Sequence, residues 1–81
     1  MYTILIVDDE RPAQTFLKAI CQKYCPAFDT ILLSGSADDA LRLMAQQHVH
    51  VLVTDISMPG INGIELAQRV RQLYPRTHTV I

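Results

Sequence analysis

The sequence predicts an α/β fold: a doubly wound, parallel sheet with helices on both faces. Three observations carry this expectation. The apolar pattern switches repeatedly between a strand-like and a helix-like period. Two strand-like runs, ILIV at 4–7 and VLV at 51–53, are continuously apolar, as strands covered on both faces are. Each helix-like stretch lies between two strands, and the order β-α-β-α-β-α-β calls for parallel strands joined by right-handed crossovers.

The first strand is TILIV at 3–7, rich in β-branched residues. A helix follows from about Glu10 to Tyr24, with Ala13, Leu17, Ile20, Cys21 and Tyr24 recurring at helical spacing. Pro12 fits its first turn, where an amide proton has no helical partner, and Pro26 ends it. FDTILLS at 28–34 is the second strand. Ser36 with Asp39 three residues on resembles a capping box and opens a helix through about Gln47. Asp38 and Asp39 therefore have a structural explanation, since carboxylates in a first turn favour the helix dipole. The third strand is 51–54, and the loop 55–63 carries Pro59, Gly60 and Gly63. A third helix runs from Ile64 to about Tyr74, with Ile64, Leu66, Ala67, Val70 and Leu73 apolar, and a fourth strand begins near Thr77.

Composition removes several functions. The chain has 81 residues, enough for one small domain. Seven Lys and Arg stand against 8 Asp and Glu, a net charge of −1, with no basic run to meet phosphates, so nucleic-acid binding by this segment is not expected. The apolar run at 4–7 is far too short for a membrane span or a signal-peptide core, so no membrane association and a cytoplasmic location are expected. Cys21 and Cys25 lie four apart in a helix, farther than disulfide geometry accepts, and are read as reduced thiols.

The chemistry gathers at two strand ends. Strand three closes on Asp55, and strand one closes on Asp8 and Asp9. In an open parallel sheet, ligands bind beyond the carboxyl ends of the strands, where the strand order reverses. Up to three carboxylates thus converge on one crevice. Repelling like charges either raise a pKa or recruit a cation, and an all-oxygen set suits Mg²⁺, commonly completed by a phosphate oxygen. A carboxylate beside such an ion can attack phosphorus and form an aspartyl phosphate. Asp9 or Glu10 is also expected to help cap helix one.

These residues resemble the receiver domain of two-component response regulators. The likeness rests on ILIVDDE at 4–10, on VTDISMPGINGIEL at 53–66 and on the spacing between them, and covers the whole chain. An Asp followed by x-x-Met-Pro-Gly-x-x-Gly is a specific motif. The resemblance implies a flavodoxin-like sheet of order 2-1-3-4-5, here incomplete at the C-terminus. It implies that Asp55 is the phosphoacceptor, that Asp8 and Asp9 hold Mg²⁺ with Asp55, and that Ser57 adds its backbone carbonyl. It also implies a sensor histidine kinase as partner, or small donors such as acetyl phosphate, and commonly a DNA-binding output domain elsewhere in the protein. Such a chain is a phosphoacceptor, not an enzyme. Pro59 fixes its own φ and restricts Met58, which is read as packing; Gly60 and Gly63 allow dihedrals and close approaches that a side chain would block.

The departure from the family is at the end of the chain. Receivers carry a Ser or Thr after strand four and a Lys after strand five; Thr77 and Thr79 lie too early, and Lys18 and Lys23 belong to helix one. The chain is read as the N-terminal two-thirds of a receiver, truncated within strand four and poorly active alone. A homo-oligomer through the strand-four edge is expected. The alternative is a receiver-like interaction or dimerisation module that is never phosphorylated. His48 and His50 lack a third ligand for zinc. DDERP after strand one is the opposite of a phosphate-cradling glycine loop, and position 57 is Ser where an aspartate-nucleophile phosphatase would carry a second Asp.

Overall fold

A computed structural model describes residues 1–81. In chain order the elements are β1 (Tyr2–Val7), α1 (Arg11–Tyr24), β2 (Phe28–Ser34), α2 (Ala37–Gln46), β3 (Val51–Thr54), α3 (Gly63–Leu73) and β4 (His78–Val80). The strands form one parallel sheet of order β2-β1-β3-β4. The doubly wound arrangement is therefore as expected, and the strand order reverses between β1 and β3.

The continuous apolar run of β1 is buried throughout, from Ile4 to Val7. Its side chains alternate between the two faces of the sheet. Leu5 and Val7 join Leu52, Val49 and Met58 under Ala37, Ala40 and Met44 of α2 and Leu66 and Val70 of α3. Each fully buried Leu of that group contributes about 1.5–3 kcal/mol. Ile4 and Ile6 point the other way, toward α1, which packs on β1 and β2.

The α1 face is thinner. None of its residues is fully buried, and Tyr24, placed on the packed face by helical spacing, is 68% exposed. The Lys23 ammonium instead lies 5.3 Å from the centre of the Tyr24 ring. Ile64 and Leu73 of α3 are likewise exposed, leaving Leu66, Ala67 and Val70 to carry its packing.

The caps explain the helix boundaries. Ser36 Oγ accepts from the Asp39 amide at 3.1 Å, as its spacing predicts. Asn62 Oδ1 accepts from the Glu65 amide at 2.9 Å, which starts α3 at Gly63, one residue earlier than expected. At α1 the expectation is corrected: Glu10 occupies the N-cap position without a side-chain cap bond, and the helix begins at Arg11. Asp8 Oδ1 takes the Glu10 amide instead, at 2.9 Å. Strand four starts at His78: the Thr77 amide is turned back onto the Tyr74 carbonyl at 3.0 Å, and the Thr77 hydroxyl donates to the Val49 carbonyl at 2.7 Å.

Candidate functional site at the carboxyl ends of β1 and β3

Two backbone hydrogen bonds carry the sheet one residue past its strands and set the spacing of the site. The Asp55 amide donates to the Val7 carbonyl at 3.0 Å, and the Asp8 amide donates to the Ser34 carbonyl at 3.0 Å. Asp8 and Asp55 therefore leave neighbouring strands at the same level, at the reversal of strand order. Both are half-buried, while Asp9 and Glu10 are exposed.

The compact acidic group is Asp8, Asp9 and Glu10, whose carboxylate oxygens lie within 4.8 Å of one another. Glu10 joins Asp8 and Asp9 in this group, and the Asp55 carboxylate comes from the end of the neighbouring strand. The reason is local: three consecutive residues are folded together by the turn that Asp8 makes onto the Glu10 amide, whereas Asp55 arrives from another strand. The ion pairs of the chain lie elsewhere, between Arg42 and Asp39 and between Arg69 and Glu65. An oxygen-only set without a basic partner fits a hard cation such as Mg²⁺.

The loop after β3 is shaped around the Asp55 peptide. The Gly63 amide donates to the Ile56 carbonyl at 2.9 Å, closing the loop on itself. A Cβ on Gly63 would overlap the Asp55 carbonyl, so only glycine permits this approach. The Thr54 hydroxyl donates to the same carbonyl at 3.0 Å. Gly60 has φ 75°, a left-handed conformation that glycine adopts without strain. Met58 is buried in the core and anchors the loop from below, and Ser57 is exposed beside Asp55 with its carbonyl and hydroxyl making no hydrogen bond within the chain.

Gln14 was not singled out by any sequence signal. Its side-chain amide donates to the Asp8 carbonyl and to the Ser34 carbonyl, at 2.6 and 3.1 Å. Asp38 is exposed, and Asp39 is held by Arg42 at 2.6 Å; that guanidinium, with the Ser34 hydroxyl, keeps the Asp39 carboxyl below its ordinary value. His50 is occupied structurally, because its Nδ1 accepts the Thr3 amide at 3.0 Å. Both cysteines are free, and burial, followed by the neighbouring Cys25, pushes the Cys21 thiol up.

Comparison with known proteins gives one answer. The response regulator receiver domain family matches residues 4–81. The hydrogenase transcriptional regulatory protein HoxA of Cupriavidus necator is 33% identical over 98% of this chain, which spans 16% of HoxA. The virulence sensor protein BvgS of Bordetella bronchiseptica is 34% identical over 96% of the chain, which spans 6% of BvgS. Among solved structures, the two-component transcriptional regulator AraC from Clostridium phytofermentans is 33% identical with a TM-score of 0.89, the match covering 98% of this chain and 64% of that one. TrrA of Thermotoga maritima, solved in complex with Mg²⁺ and BeF, is 29% identical with a TM-score of 0.88, over 98% of this chain and 66% of that one. The strand order, the acidic strand ends and these likenesses over nearly every residue agree, and the chain belongs to the response regulator receiver domain family.

Proposed function

We propose that this chain is the phosphoacceptor of a two-component system and that Asp55 takes the phosphoryl group. The observation that carries the reading is the Asp55 amide on the Val7 carbonyl, which sets Asp55 level with the acidic end of β1. In the reaction an Asp55 carboxylate oxygen attacks phosphorus, the bond from phosphorus to the donor's imidazole nitrogen or acetyl oxygen breaks, and the donor leaves with the electron pair. Asp8 and Asp9 would hold Mg²⁺ together with Asp55 and the Ser57 carbonyl, with the exposed Glu10 carboxylate adding negative charge beside them. The ion, when bound, offsets the charge of the phosphoryl oxygens. The chain serves as acceptor rather than enzyme.

The partners follow from the same reading. A sensor histidine kinase is the phosphoryl donor, in keeping with relatives that are themselves sensors, BvgS and the autoinducer 1 sensor kinase/phosphatase LuxN of Vibrio harveyi. Control of transcription through a DNA-binding output in a longer protein is in keeping with HoxA. A cytoplasmic setting suits a chain in which no helix is long and apolar enough to cross a membrane. The second reading is an association module of receiver shape that is never phosphorylated.

Acetyl phosphate labelling with Mg²⁺, read by intact mass and then by borohydride reduction to locate the acyl phosphate, decides between them. In a longer protein that carries these residues, the wild type gains one phosphoryl group at Asp55 and Asp55→Asn gains none. Equal labelling of the two would remove Asp55 as acceptor; no labelling of either in that protein would leave the association module.

A further inference from the structure

We infer that Gln14 is a positioning residue for the metal site: its side-chain amide fixes the Asp8 main chain, and through it the carboxylate that faces the cation. The inference rests on the proposed Mg²⁺ reading and adds a residue to it.

Gln14 lies on the first turn of α1, half-buried, and spends both donor hydrogens of one NH₂ group on two strands. Nε2 is 2.6 Å from the Asp8 carbonyl and 3.1 Å from the Ser34 carbonyl. These carbonyls belong to residues at the ends of β1 and β2, where the regular ladder has run out. The Ser34 carbonyl also receives the Asp8 amide at 3.0 Å. Asp8 is thereby held at three points: its amide on Ser34, its carbonyl by Gln14, and one carboxylate oxygen by the Glu10 amide at 2.9 Å. The two peptide planes flanking its Cα are both fixed, so the side chain starts from a set direction. One carboxylate oxygen is left to meet a ligand.

The bond pattern also says why an amide is used. Both acceptors are carbonyl oxygens, so the position calls for two donors and no acceptor at that end. A glutamate would bring an acceptor and a fourth negative charge beside Asp8, Asp9 and Glu10. A methionine would fill the same space and leave both carbonyls without this donor. Since α1 buries no residue completely, Gln14 also ties the start of the helix to the sheet, and a purely structural tether is the alternative to be excluded.

Partners that orient a metal ligand typically change affinity about 10–100-fold when removed. Isothermal titration of Mg²⁺ into the full chain is the test, with Gln14→Met against wild type and thermal unfolding run on the same samples. About 10-fold weaker Mg²⁺ binding by a variant that still unfolds cooperatively supports the inference. Unchanged affinity with a lowered Tm would make Gln14 a tether only and overturn it, while leaving the Mg²⁺ reading intact. Absence of Mg²⁺ binding by the wild type would overturn both. Should Gln14→Met fail to fold, the Gln14 side-chain NH₂ resonances of the wild type give the answer: they shift with the same saturation as the Asp8 and Asp9 amides, and unmoved resonances would count against the role.

Discussion

A methyl group added at Gly63 has nowhere to go, because it meets the Asp55 carbonyl head-on. Either the loop 55–63 opens or β3 shifts, and both displace Asp55. Gly63→Ala should therefore destabilise the chain by at least about 2 kcal/mol, at the upper part of the range for overpacking, in urea unfolding. Gly60→Ala should cost about 1 kcal/mol, because only its positive φ and no neighbour opposes a side chain. Reversed magnitudes would show that dihedral strain, not the close approach, governs the loop. At this scale the sequence was readable where a residue type has few uses: a Gly after Met-Pro, an Asp after an apolar run. Gln14 was not readable, since a glutamine at a helix start carries no pattern, and its role exists only once β1, β2 and α1 are assembled.

The helices differ in how they are held. α2 and α3 bury residues fully and carry side-chain caps, while α1 has apolar residues that are at most half-buried and no side-chain cap. Ser36→Ala and Asn62→Ala should each cost about 1 kcal/mol. Calorimetry at neutral pH checks this. Asp39 adds a pH dependence to α2. Its folded carboxyl sits below the ordinary value because of Arg42, so its contribution is present above the ordinary carboxylate pKa and is lost as pH falls through the lowered one. Asp39→Asn should flatten part of the acid slope of Tm below about pH 4. The effect is small, since the pair is exposed to solvent. Element order and most boundaries followed from apolar period and from Pro and Ser signals. The start of α3, expected at Ile64, lies one residue earlier; the Asn62 to Glu65 spacing, of the same form as Ser36 to Asp39, is the sequence signal that marks it. Tyr24 could not be assigned from period alone: spacing puts it on the right stripe of α1 but does not say that the last residue of the helix is left exposed.

For the whole molecule, parallel order followed from alternating elements, because crossover chirality leaves few arrangements. What the pattern could not supply is the distance between carboxylates that leave different strands, or the turn of Asp8 onto the Glu10 amide that draws Glu10 to Asp8 and Asp9. The central claim, a cation and phosphoryl site across the ends of β1 and β3, has a direct test. Amide NMR of the chain titrated with Mg²⁺ and then with beryllofluoride should move residues 8–10 and 55–58, and the Asp55→Asn chain should lose the beryllofluoride response. Shifts clustered away from both segments would contradict the account.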